Sequence, residues 1–201
     1  KWSRKTSLFL NILLALIPLL LLVGIEIYLR HIHYGLDDRL FIPQSSSSTY
    51  QLNRELYRKY YSVNNPMLKH LIPQISMKQR KAERDFRIFC LGGSTTRGPF
   101  PMLLQELLTR SEVDKRVEVV NLGIDTFNSY QVLDIMKKLP QYDPDLLVIY
   151  MGHNEIYGPY GVASNVALGT SRGAINLILR LREFKIFQLA TNLYAKLKSS
   201  S

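Results

Sequence analysis

The chain has 201 residues, with 26 lysines and arginines against 16 aspartates and glutamates and a formal charge of +10; that length accommodates one ordinary domain and an added segment. The basic excess points to nucleic acid, an anionic membrane surface or lipid headgroups. Arg54, Arg58, Lys59, Lys69, Lys78, Arg80 and Lys81 are scattered rather than striped along a helix as phosphate-tracking residues are, which turns the reading from nucleic acid to the membrane. The single cysteine, Cys90, excludes an internal disulfide and a thiolate-rich metal site, and its apolar strand pattern places it in a core.

Residues 8–25 read LFLNILLALIPLLLLVGI, with Asn11 the one strongly polar member. Continued to Leu29, the run reaches the ~20 residues that cross a bilayer as a helix, so the expectation is a transmembrane anchor over residues 1–30 in contact with lipid through residues 8–29. A cleaved signal peptide has a shorter apolar region and a small-x-small site, and neither is met here. Lys1, Arg4 and Lys5 put the N-terminus on the cytoplasmic side and send the rest across, a single-pass topology in a bacterial inner membrane with a periplasmic domain. Pro18 removes one helical hydrogen bond and kinks the helix.

Residues 31–84 lack a continuous apolar pattern and carry a run of serines at 45–48 and the tyrosines Tyr50, Tyr57, Tyr60 and Tyr61. They read as a partly ordered linker, the serines as a flexible stretch and the tyrosines as residues that pack onto a domain or a partner.

From residue 85 the pattern alternates. FRIFCL is a short apolar strand, GGSTTRG a polar turn, and PFPMLLQELLTR a helix with Leu103, Leu104, Leu107 and Leu108 on one side. RVEVVNLG supplies a second strand, and residues 129–139 a helix with Val132, Leu133, Ile135, Met136 and Leu139 inward. DLLVIYMG, after Pro140 and Pro144, is a third strand, apolar enough to be covered on both faces. The class is therefore α/β: a three-layer parallel sheet with right-handed crossovers, over residues 85–201. Near the end, Ile175, Leu177, Ile178, Leu181, Phe184, Phe187, Leu189 and Leu193 have the spacing of one or two amphipathic packing helices.

Ligands of parallel sheets collect at the carboxyl ends of the strands, where the turns GGSTT, NLGIDTFNS and GHNE all fall. Ser94 sits between a strand and a helix, where free N–H groups favour developing negative charge, and Gly92 and Gly93 permit a sharp turn. By itself such a serine is an ordinary N-cap. Asn154 can donate its amide to an oxyanion beside backbone N–H groups of the other two turns, or bond neighbouring loop carbonyls. Gly152 lets its loop approach closely.

GGST with Ser94, NLGIDTFNSY, and GHNE with Gly152 and Asn154, in that order and spacing over residues 86–161, resemble the first three blocks of the SGNH (GDSL-like) hydrolases, closest to membrane-anchored bacterial members with a GHNE block. The resemblance implies a flavodoxin-like fold and an esterase, lipase or carbohydrate O-acetyl hydrolase or transferase that needs no cofactor. Ser94 is then the nucleophile, Asn154 an oxyanion donor, and Thr126 stands where the family usually has a glycine donor. An ester or acylated glycan would be the substrate.

The family's late Asp-x-x-His block is missing. Among His31, His33, His70 and His153, only His153 lies beside a site block and is the candidate for a substitute base. Three readings follow: an incomplete stretch of a longer hydrolase, a catalytically inactive subunit with a binding or assembly role in a membrane protein complex, or an enzyme using His153. Asp125 and Glu155 read as solvated or loop-bonded, and no pair has metal-ligand spacing.

Overall fold

A computed structural model describes residues 4–61, 66–111, 114–161, 164 and 171–199. Its elements in chain order are α1 (Arg4–His31), β1 (Phe41–Pro43), β2 (Thr49–Leu52), α2 (Tyr57–Tyr61), β3 (Ser76–Lys78), β4 (Asp85–Gly92), α3 (Ser94–Arg97), α4 (Phe100–Arg110), β5 (Arg116–Gly123), α5 (Ser129–Met136), β6 (Leu146–Tyr150), α6 (Arg172–Leu181) and α7 (Lys185–Ser199), with 3-10 turns at Arg54–Leu56, Pro66–Leu71 and Leu139–Tyr142. They form two compact units, residues 38–179 and residues 1–37 with 180–201.

The larger unit is α/β and contains two sheets. The parallel one has the order β5-β4-β6. Val119, Val120 and Leu122 of β5, like Ile88, Phe89 and Leu91 of β4, supply the β-branched and bulky side chains that suit a pleated surface. Gly92 is level with both Gly123 and Tyr150, so all three strands end together. The second sheet, antiparallel β1-β2-β3, arises from residues read as linker: Leu40, Phe41, Leu52, Leu56, Tyr57, Tyr60, Ile72 and Met77 are buried in one core with Phe89, Leu91, Val120 and Leu122. Their contacts are long-range, which is why no local periodicity announced them.

Buried polar residues tie the unit together. Arg87 donates from Nε to Glu118 (2.8 Å), from Nη1 to the Tyr142 carbonyl (2.7 Å) and from Nη2 to the Lys78 carbonyl (2.9 Å), joining β4 to β5 and β3. The Lys59 ammonium and the Tyr60 hydroxyl both donate to Asp134 Oδ2, at 2.7 and 2.9 Å. Burial pushes the Cys90 thiol up to about 11, so it stays an uncharged apolar group.

Two helical faces and one strand depart from the periodic reading. Leu103 and Leu107 are exposed while Leu104 and Leu108 are half-buried, because α4 is rotated so that Gln105 faces β5: its amide donates to the Val117 carbonyl (2.9 Å) and accepts from the Val119 N–H (2.7 Å). On α5, Val132 and Ile135 are buried but Leu133 is exposed. Among the described residues β6 pairs only with β4, and its Leu146, Ile149 and Tyr150 are exposed rather than covered on both faces.

In the smaller unit, the Glu26 carboxylate accepts the backbone N–H groups of Lys185 (3.1 Å) and Ile186 (2.9 Å) at the start of α7, and pairs with Arg30 at 2.7 Å. Burial opposes the charge, but those two N–H groups and Arg30 outweigh it and hold the carboxyl below its usual value. The expectation of a transmembrane helix over residues 8–29 is corrected here: among the described residues no helix is long and apolar enough to cross a membrane. At the C-terminal end of α1 the reason is polar packing: Glu26 and Arg30 make its last two turns a surface for the start of α7 rather than for lipid.

Candidate acyl-transfer site

Three turns leave the level ends of β4, β5 and β6. The first is pinned by Thr96, whose buried hydroxyl donates to the Tyr150 carbonyl at 2.8 Å, and by the Ile124 N–H donating to the Gly92 carbonyl at 3.0 Å. Ser94 opens α3, which is a single turn because Gly98 and Pro99 break it before α4 begins. The helix dipole expected at Ser94 is correspondingly small. Its hydroxyl is exposed and, among the described residues, neither that hydroxyl nor its backbone N–H has a hydrogen-bond partner.

The second turn runs through Asp125 and Thr126. Thr126 has φ +67°, the left-handed region in which a β-branched residue is strained. Its backbone therefore adopts the conformation that a glycine would take freely at this place, and its own N–H has no partner among the described residues. Two groups brace the turn: the Tyr61 hydroxyl bonds to Thr126 Oγ1 and lies 3.4 Å from the Asp125 carbonyl, and Arg97 pairs with the Asp125 carboxylate. Burial raises the pKa of the Tyr61 phenol, the hydrogen bond to Thr126 opposes that, and the charge of Asp125 adds to it.

In the third turn, Gly152 has φ +134° with nothing within 4 Å of a built Cβ, so backbone angle rather than close approach requires the glycine. Asn154 donates Nδ2 to the Phe127 carbonyl at 3.0 Å, and its other amide N–H has no partner among the described residues. The side chain passes over Gly93, where a Cβ would come within 2.6 Å of Nδ2. Ser94, Thr126 and Asn154 are thus brought to one end of the sheet on elements that touch one another.

The histidines do not join them. His153 is exposed, with its ring edge-on to Tyr150 at 5.7 Å, and no hydrogen bond links it to Ser94. His70 belongs to the 3-10 turn Pro66–Leu71, and His31 and His33 belong to the smaller unit. Among the described residues no group of three or more His, Cys, Asp or Glu stands together as a metal site.

Several site residues escaped the sequence reading. Asn128 and Gln131 form a capping box at the start of α5, for which N-S-Y-Q was a readable signal. Glu155, read as solvated or loop-bonded, accepts from both the N–H and the hydroxyl of Ser129; Tyr61, Thr96 and Arg97 carried no local signal. No family model, curated protein or solved structure matches this chain.

Proposed function

We propose that this end of the sheet is the acyl-transfer site of a serine esterase or O-acyl hydrolase or transferase of SGNH type, taking an ester or acylated glycan. The observation that carries the reading is that the N–H groups of Ser94 and Thr126 and the second amide N–H of Asn154 have no acceptor among the described residues and stand on the turns at the same strand ends as the exposed Ser94. Ser94 Oγ attacks the ester carbonyl, and the carbonyl oxygen becomes an oxyanion that those three donors stabilise. The alcohol departs, and water or a second hydroxyl then takes the acyl group from Ser94.

The Ser94 proton needs a base. His153 fills this role only if its ring leaves Tyr150 and swings toward the hydroxyl. A second reading, a binding or assembly subunit, is favoured by the lack of any histidine bonded to Ser94 among the described residues and by the exposed apolar edge of β6.

Intact-mass measurement after fluorophosphonate treatment separates the two. One phosphonyl group on the wild type, absent from Ser94→Ala, is the expected result; an unlabelled wild type leaves the binding reading. Loss of labelling in His153→Ala identifies the base.

The reading includes contact with lipid. The described side chains of α1 that precede Glu26 are apolar, with Leu14, Leu20 and Leu21 each more than 60% exposed, and an exposed apolar patch of this kind marks a surface for protein or lipid. Flotation of the full chain with anionic liposomes, reduced by Leu20→Asp with Leu21→Asp, is the expected outcome; unchanged flotation of that variant removes lipid contact along α1.

A further inference from the structure

We infer that Glu155 is a positioning residue for Asn154, acting by clamping the third turn onto the N-terminus of α5. The inference deepens the acyl-transfer reading, from which it takes the role of Asn154.

Two neighbouring side chains, Asn154 and Glu155, grip Phe127 and Ser129, the residues on either side of Asn128. Asn154 Nδ2 donates to the carbonyl of Phe127 at 3.0 Å. Glu155 Oε1 accepts the backbone N–H of Ser129 at 2.9 Å, and its Oε2 accepts the Ser129 hydroxyl at 2.7 Å. Asn128, between them, is wholly buried and donates Nδ2 to the Pro159 carbonyl at 3.0 Å, an oxygen that also accepts Gln131 Nε2 at 3.0 Å.

The Ser129 N–H is among the first of α5, so it has no acceptor within the helix, and a carboxylate there meets a partial positive charge. Both carboxylate oxygens are engaged, which sets the orientation of Glu155 as well as its place. Because Asn154 is the next residue, this two-point attachment sets where its carboxamide can reach. A Cβ on Gly158 would lie 2.5 Å from the Thr126 carbonyl and 2.7 Å from that of Asn154, so the third turn also packs closely against the second at this glycine.

A plain helix cap makes a different prediction: its loss frays α5 and leaves Asn154 bonded to Phe127. The test is therefore made on Asn154 itself. In the full chain, 15N-labelled and held in detergent micelles, one of the two Asn154 side-chain amide protons is expected to exchange slowly with solvent. Glu155→Ala is expected to speed that exchange at least tenfold, while the amides of the β4–β5 ladder keep their wild-type rates. Ser129→Ala, which keeps the backbone N–H bond, should fall between, and it serves as the folded variant if Glu155→Ala does not fold. An Asn154 proton that exchanges at the wild-type rate in the folded variants overturns the inference.

Fluorophosphonate labelling of the same variants adds a second readout, with a tenfold or greater drop in rate expected for Glu155→Ala at an unchanged melting temperature. A wild type that is not labelled removes the acyl-transfer reading alone, because the exchange measurement still decides the clamp. Labelling of Glu155→Ala at the wild-type rate overturns the clamp.

Discussion

Gly93 and Asn154 meet so closely that the carboxamide occupies the space a side chain at 93 would need: a Cβ would lie 2.6 Å from Nδ2 and 3.3 Å from the Phe127 carbonyl that binds it. The atom displaced is the end of a side chain, so folding can adjust. Gly93→Ala should therefore cost about 1 kcal/mol of stability, the low end of what overpacking costs. Its effect on Ser94 should be much larger, a fall in fluorophosphonate labelling of about 100-fold, as when one oxyanion donor is lost. Thermal melting and labelling rates on the same sample check both parts. A large stability loss, or unchanged labelling, would separate Gly93 from the Asn154 amide.

The strain at Thr126 can be weighed by comparing two substitutions. Both Thr126→Gly and Thr126→Val remove the hydroxyl that bonds Tyr61, but only valine keeps a Cβ at φ +67°. Thr126→Gly should be the more stable by about 1–2 kcal/mol, the penalty of the left-handed region for a branched residue. Equal urea midpoints would mean that the turn relaxes out of this conformation.

Asp134 accepts from the Lys59 ammonium, whose side chain is fully buried, and from the Tyr60 hydroxyl. Asp134→Ala removes the carboxylate and leaves both donors in place, and should cost about 3–5 kcal/mol, a large part of the ~5–15 kcal/mol that holds a domain folded. The combined variant Lys59→Met, Tyr60→Phe, Asp134→Leu removes donors and acceptor together and should recover most of that loss. Urea denaturation of both proteins is the measurement, and an equally unstable combined variant would show that shape rather than charge is at stake.

Asp145 predicts an acid limb to the stability curve. Its carboxyl is held below the usual aspartate value, first by the hydrogen bond from Lys81, then by the Arg87 N–H, with burial opposing and the charges of Lys81 and Lys115 adding. A carboxyl lowered in the folded state contributes stability that is complete above its unfolded value and lost as pH falls through the folded one. The loss therefore belongs below about pH 4, taking the unfolded aspartate value. Asp145→Asn should cost about 1 kcal/mol at pH 7, allowing for the part of the side chain in water, and should flatten the curve between pH 5 and pH 2. An unaltered acid limb would assign it to other carboxylates, Glu26 among them.

What residues 86–91 and 117–121 become was written in the sequence by itself, because a continuous apolar run bounded by glycine and polar turns specifies a strand locally. The direction of the chain then places Ser94, Thr126 and Asn154 after successive strands. Tertiary structure decided what those residues could not carry alone. Leu103 and Leu107 have the same spacing as a buried stripe, yet they face solvent because the rotation of α4 was set by the bonds of Gln105 to β5. Phe41 and Tyr60 gave no periodic signal, since the rings they pack against include Phe89 and Phe127 on later elements of the chain, and burial of that kind depends on which surfaces meet. Glu155 next to Asn154 is indistinguishable in sequence from a solvated carboxylate; only the approach of α5 turns it into an acceptor for Ser129. The role of Glu26 was settled the same way, when its carboxylate met the first N–H groups of α7 and became part of a packed, polar helix end.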